Sequence, residues 1–351
     1  MRHHLLISLF FFLFLSCCQD QQNKKPETTN KQDLPPNANL VFTDSTACIF
    51  SEISYCPDPQ QQLDKYMPGW RVVWNPLSVG GNYAFVATDS IRYVIAVRGS
   101  LLSFTEDAFN NWVTNDLNVM TQDNWPYCST EKAAISHGSY IAWQNLERMR
   151  DRKSGKSLWS FLSEKVTDQN PLILTGHSLG GNLAMVYASY LWSKFDKSGH
   201  QKNNINVITF AAPAPGNSSF AEDFNTKFPV SERIENRNDV VPKFPCSNKI
   251  TKLAELYIPQ PSASDVSVGY RNMTTKLSNV FTLMSSALAI LELQSNFYGY
   301  THTNGEGKLI TIALSNKDST NTAAAWFAEA GYQHSMAQYA AFFGAPVIKC
   351  E

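Results

Sequence analysis

Gly176-His177-Ser178-Leu179-Gly180 follows the apolar run Leu172-Ile173-Leu174-Thr175 and opens a helix-like segment from Asn182 to Trp192. A G-x-S-x-G pentapeptide between a strand and a helix is the nucleophile elbow of a serine hydrolase. The turn is too tight for side chains at the glycine positions, and it forces the serine into a strained conformation that lifts its hydroxyl above the sheet edge. The pentapeptide alone also arises by chance. The strand before it, the helix after it and the additional Gly181 make chance a poor explanation. The chain reads as an enzyme.

At 351 residues there is room for one large α/β domain or two modest ones. A hydrophobic content of 43% supports a substantial core, and the charged fraction of 17% is low for a soluble domain. The 29 basic and 30 acidic residues leave a net charge of -1, so no basic stripe argues for nucleic acid as a partner. No C-x-x-C pair, H-E-x-x-H helix or G-x-x-x-x-G-K loop occurs, and no metal or nucleotide cofactor is expected.

The amino terminus has the layout of a targeting segment. Arg2 supplies the positive start, Leu5 to Leu15 form an apolar run broken only by Ser8, and Ser16-Cys17-Cys18 follow. The run is short for a bilayer span and has the length of a signal-peptide core. Its end resembles a bacterial lipobox, in which a small residue precedes a cysteine that is lipidated after cleavage. Residues 1–18 are therefore expected to be a signal peptide of lipoprotein type, with Cys17 or Cys18 as the acylated residue; an ordinary secretory signal is the alternative. Residues 19–38 (QDQQNKKPETTNKQDLPPNA) are polar and proline-containing, a composition that cannot offset its ordering entropy, and read as a flexible tether. Residues 39–351 then form one catalytic domain, exported and held at a membrane by its lipid. In an oxidising compartment cysteines pair readily, and Cys48 with Cys56 is the most attractive local bridge, although connectivity does not follow from sequence.

A serine needs a base, and the base a group to hold its tautomer. In α/β-hydrolases these partners follow in the order Ser, then Asp or Glu, then His. Ser231 to Asn236 reads as a short strand ending before Asn238-Asp239-Val240-Val241-Pro242, which puts Asp239 at a strand's carboxyl end. Asp223 reads instead as a solvated helix charge. Of the histidines beyond the serine, His200 lies in a polar loop. His302 precedes the hairpin signal Asn304-Gly305, as a strand-end residue under the sheet. His334 sits in a loop entering the helical run Met336 to Phe343 and is preferred as the base. His177 points away from the serine and is expected to support the turn by a buried hydrogen bond, while His137 is expected to be structural. For the oxyanion, one donor is the N–H of Leu179. The second is assigned to Ser100, where the buried run Tyr93-Val94-Ile95-Ala96-Val97 breaks at Arg98-Gly99-Ser100. After it, Ser103 and Glu106 have capping-box spacing, and Phe109, Trp112, Val113 and Leu117 recur at helical intervals. That helix reads equally as a lid or as a fixed core helix. Val280 to Leu293 reads as a core or cap helix.

These segments resemble the class 3 lipases, the fungal-lipase-type branch of the α/β-hydrolases. The resemblance rests on Ile95 to Ser100, Asn111 to Leu117, Thr175 to Gly181, Thr209-Phe210-Ala211-Ala212-Pro213-Ala214-Pro215-Gly216-Asn217, Asn238 to Pro242 and His334 to Tyr339, spanning residues from about 90 to 340. It implies an α/β-hydrolase fold: a mostly parallel central sheet with flanking helices and a lid helix. It also implies Ser178 as nucleophile, Asp239 as orienting acid, His334 as base, and Ser100 and Leu179 as oxyanion donors. Lipid esters are the implied substrates, acylglycerols first and phospholipids second. Soluble-ester or feruloyl-type hydrolysis, thioester or peptide cleavage, and a silent ligand-binding lipoprotein are the alternatives. Two departures stand out: Ala211 replaces the usual glycine after Thr-Phe, a mild change, and Lys249 to Asn296 exceeds the usual aspartate-to-histidine connection.

Overall fold

The elbow strand lies at the middle of the main sheet in a computed structural model of the chain. The structure describes residues 42–101, 104–105, 118–199, 204–270, 273–294, 298–315 and 317–350. The signal segment with Cys17 and Cys18, the tether, His200, and the 103–117 helix except Phe104 and Thr105 lie outside the described residues. Helices α1 (Asp44–Ile53) and α2 (Pro59–Tyr66) precede strands β1 (Arg71–Trp74), β2 (Ala84–Thr88) and β3 (Tyr93–Val97). Next come β4 (Gln122–Asn124), β5 (Ala134–Ser136), α3 (His137–Arg148) and α4 (Leu158–Lys165). The centre is β6 (Leu172–His177), α5 (Leu179–Lys197) and β7 (Ile205–Phe210). Then follow β8 (Gly216–Asn217), α6 (Ser218–Lys227) and β9 (Glu232–Asn236), a short α7 (Ser247–Ile250), the hairpin β10 (Ser267–Tyr270) with β11 (Met273–Lys276), and α8 (Leu277–Leu291). The chain closes with β12 (Tyr300–Thr301), β13 (Lys308–Ile310), α9 (Ala323–His334) and α10 (Met336–Phe342).

The main sheet runs β1-β2-β3-β6-β7-β9-β13. Strands β3, β6, β7, β9 and β13 pair in parallel, and β1 and β2 are added antiparallel at one edge. Every residue of β6 is buried, as expected where helices cover both faces of a parallel sheet and the strand becomes a continuous apolar run. Alternate side chains serve two cores. Ile95, Val97, Leu172 and Leu174 pack with Leu183, Val186 and Tyr187 of α5. Val94, Ala96, Ile173 and Phe210 pack on the other face with Ala47, Phe50 and Ile53 of α1 and Tyr339 of α10. A smaller sheet runs β12-β8-β5-β4.

Register positions the site. Val97 pairs with Gly176 and His177 with Phe210, so β3 and β6 end at the same level and residues 98–100 leave the sheet beside the elbow. Ile310 pairs with Asn236, and Asp239 follows at the same rim.

The structure corrects several expectations. Cys56 is bonded to Cys350, 294 residues away, and Cys48 is a free buried thiol. Cys48 is buried inside α1, whereas Cys56 lies past the end of that helix and meets the carboxyl-terminal tail. Asp223 is buried, not solvated: it accepts from Ser129 N (2.9 Å) and Ser129 Oγ (2.6 Å) and pairs with Lys227 at 2.6 Å. Asn304 and Gly305 do turn with positive φ, but β12 and β13 join different sheets, so the turn carries the chain between layers and closes no hairpin. The segment from Lys249 to Gln294 folds as α7, a 3-10 turn, the β10–β11 hairpin and α8. Helix α8 buries Leu277, Val280, Phe281 and Leu288 while Leu283 and Ile290 remain exposed. No helix of the described residues is long and apolar enough to cross a membrane.

Candidate active site

Ser178 has φ 59° and ψ −131°, a region that costs a non-glycine residue about 1–3 kcal/mol. The fold holds it there from both sides. Its N–H donates to Phe210 O at 2.9 Å, and its carbonyl accepts from Gly181 and Asn182 at the start of α5. Packing explains the neighbouring glycine: a Cβ on Gly180 would lie 2.2 Å from Val97 O. The end of β3 is equally close, since a Cβ on Gly99 would meet His177 O at 2.5 Å and Ser178 Cβ at 3.2 Å. Ser100 is thereby carried to the elbow, and its Oγ is buried without a hydrogen-bond partner among the described residues. Leu179 is the first residue of α5, where main-chain N–H groups point out of the helix end unused.

His334 and Asp239 meet at the same rim. His334 Nδ1 lies 3.0 Å from Asp239 Oδ1 and 2.9 Å from Oδ2. The carboxylate also accepts from Val241 N at 2.9 Å and from Tyr339 Oη at 2.9 Å, and is fully buried. Tyr339 Oη in turn accepts from Asn236 N at 2.9 Å, tying the aspartate loop to α10. Burial, then the Asp239 charge, pushes the Tyr339 phenol well above its ordinary value, so it stays a donor. His334 is the last residue of α9 rather than part of a loop, and Ser335 (φ −61°, ψ 129°) breaks the helix before α10.

A second layer fixes the His334 main chain. His177 Nε2 donates to His334 O at 2.7 Å, and His177 Nδ1 accepts from Tyr55 Oη at 2.9 Å. Burial first, then the neighbouring His334, holds the His177 pKa well below its ordinary value. A neutral ring has one N–H, which the carbonyl claims, so Nδ1 must accept. A Cβ on Gly99 would lie 2.3 Å from Tyr55 Oη, and Tyr55 thus packs between the β3 turn and the His177 ring that holds the α9 terminus. Nothing in the sequence marks Tyr55, which lies before the first strand and 122 residues from His177.

Ser178, His334 and Ser100 line one cavity of about 370 Å³, with Tyr55, Phe104 and Met336 among its walls. The Phe104 ring lies 5.2 Å from the His334 ring. Ser100 and Leu179 also line a second cavity of about 600 Å³ with Asn82, Asn118, His137 and Asn145. The other described histidines, His302 and His137, have partners of their own. His302 Nε2 donates to Pro242 O at 2.6 Å, and His137 Nδ1 contacts Asp123 at 2.7 Å. Ala211 is a less mild departure than its small side chain implies. Its φ is 53°, a left-handed conformation that costs an alanine about 1–2 kcal/mol and glycine far less.

Residues 94–249 match the family model described as lipase (class 3). A secreted mono- and diacylglycerol lipase 1 from Fusarium solani is 28% identical over 193 residues, covering 54% of this chain and 49% of the relative. The match thus spans about half the length of that curated relative. Among solved structures, M37 lipase is similar with a TM-score of 0.67 at 22% identity, covering 88% of this chain and 96% of its own. This likeness agrees with the parallel sheet and flanking helices described above. Over residues 94–249 the chain is thus similar to the class 3 lipases, and it has the α/β-hydrolase fold.

Proposed function

We propose that the protein is a serine ester hydrolase acting on lipid esters, acylglycerols foremost. Ser178 Oγ attacks the ester carbonyl while His334 Nε2 takes its proton, with Asp239 holding the imidazole through Nδ1. The oxyanion accepts hydrogen bonds from the N–H groups of Leu179 and Ser100, each such donor contributing about 100- to 1,000-fold to turnover. Collapse expels the alcohol, which leaves with the proton from His334. Water then adds to the acyl-enzyme by the same base and releases the acid. The observation that carries this reading is the buried His334–Asp239 pair, whose ring opens onto the cavity that also holds Ser178. The activity named for the Fusarium solani relative supports the substrate class.

The test is a panel of acylglycerol, phospholipid and soluble aryl esters on purified tether-free protein, with Ser178→Ala alongside. Hydrolysis of acylglycerols by the native chain alone is expected. Equal activity in both proteins removes Ser178 from the mechanism, and no activity in either leaves only a binding role.

The amino terminus adds a location. Export is supported by the signal-like segment and by the secreted relative, and acylation of Cys17 or Cys18 would hold the domain at a membrane. The Cys17→Ser, Cys18→Ser double variant is expected to move from the membrane fraction to the soluble one; unchanged membrane retention rules out the lipid anchor.

A further inference from the structure

One wall of the Ser178–His334 cavity has no part in the reaction above. Glu52, on α1, lines that cavity. Only 8% of it is exposed, and its Oε2 has no hydrogen-bond partner among the described residues. Ile348 lines the cavity beside it and is held two residues from Cys350 of the disulfide. The carboxyl group thus keeps unused hydrogen-bonding capacity at the cavity wall. Burial pushes its pKa up to about 7. An aliphatic side chain would close the same space without leaving a buried polar group unpaired.

The chemistry of the elbow says which half of a substrate this wall meets. His334 returns its proton to the leaving oxygen, so the alcohol half of the ester must pass the imidazole. The cavity that contains His334 is therefore the alcohol side. Its apolar walls include Phe104, Met336 and Ile348, and outside the elbow and the residues bonded to it Glu52 is the charged group that lines it.

We infer that Glu52 is a specificity-determining residue for the leaving alcohol. It binds a free hydroxyl, so that esters of polyols with an unesterified hydroxyl, such as mono- and diacylglycerols, are preferred over esters of simple alcohols. The carboxyl accepts from such a hydroxyl in either protonation state, and when protonated it also donates. The inference rests on the ester-hydrolase reading, whose roles for Ser178 and His334 define the two sides of the site.

The experiment compares kcat/KM for 1-octanoylglycerol and methyl octanoate, both below their solubility limits, in the native protein and in Glu52→Leu and Glu52→Gln. Glu52→Leu is expected to lower the glycerol-to-methyl ratio about tenfold, the loss of one hydrogen bond to a polar group. Glu52→Gln, which keeps a donor and an acceptor, should hold the ratio within about threefold. A Glu52→Leu variant that lowers both substrates equally makes the residue a structural brace and overturns the inference, as does an unchanged ratio. Calorimetry on Ser178→Ala supplies a reading without turnover: 1-O-octylglycerol is expected to bind about tenfold tighter than octyl methyl ether. Equal binding overturns the hydroxyl site. If the ether preference holds while neither ester is cleaved, the hydrolase reading fails and the hydroxyl site stands.

Discussion

Nδ1 of His334 stands 2.9 Å from Oδ2 of Asp239 across 95 residues of sequence. Both are buried, Asp239 fully so, and a buried carboxylate is tolerated only when its lone pairs are taken up. Val241 N–H and Tyr339 Oη share that task with the imidazole. The ring is therefore oriented before any substrate arrives, with its second nitrogen left to face the cavity.

Asp239→Asn keeps the shape and removes the charge that selects the tautomer. Turnover of a lipid ester is expected to fall by about 10³–10⁴, with the melting temperature within a few degrees of native. Steady-state kinetics beside a melting curve check this, and a loss below tenfold would remove Asp239 from the mechanism.

Ser178 is strained, and the proposed mechanism also gives it the chemistry, so its replacements separate the two. Ser178→Ala is expected to lower turnover by about 10⁴ or more. Ser178→Gly should be equally inactive and also more stable by roughly 1 kcal/mol, because glycine adopts φ 59° without penalty. Denaturant unfolding of both variants measures the difference; a glycine variant no more stable than the alanine one contradicts the strain.

The Cys56–Cys350 bridge closes 294 residues. By loop-closure entropy its removal is expected to cost on the order of 3–5 kcal/mol. The Cys56→Ser, Cys350→Ser pair should melt lower than native protein in oxidising buffer and match reduced native protein. The tail bears Ile348, a wall of the cavity, so KM should rise in the same variant. An unchanged melting point would show that the tail is held by its packing alone.

Buried groups set opposite pH slopes. Burial, followed by neighbouring charge, holds His177 and His302 well below the ordinary histidine value of 6.5. Their contribution is present above that value and is lost as pH falls below it, where the unfolded chain takes up protons that the native state refuses. Glu52 runs the other way, with a native pKa near 7 against 4.5 unfolded. Its contribution is full below 4.5 and is lost as pH rises to about 7. Glu52→Gln is expected to remove that loss, gaining on the order of 1–2 kcal/mol at pH 8 and none at pH 4, after allowance for screening from the adjoining cavity. Melting curves from pH 4 to 8 decide it; parallel profiles for variant and native protein refute it.

Local chemistry was legible where a short segment carries its own instructions. The apolar run of β6, the glycines of the elbow and the break after Val97 each follow from strand burial and turn sterics within a few residues. The aspartate turn was legible for the same reason, since Asn236, Asn238 and Asp239 hydrogen-bond within their own loop. Chain order singles out His334, which the structure pairs with Asp239, yet its place at a helix end was missed because the alanine-rich start of α9 hides the helical period.

The sequence by itself determined the parallel core and the strained serine, because strand alternation and tight turns act over neighbouring residues. Only the tertiary structure decided that Cys56 joins Cys350, that Asp223 is buried, that Tyr55 braces His177 and that Glu52 faces the cavity. Each of these depends on which distant segments the sheet register and the packing of α1 and α10 bring together. Such pairings arise from the whole fold, and no local stretch of chain encodes them.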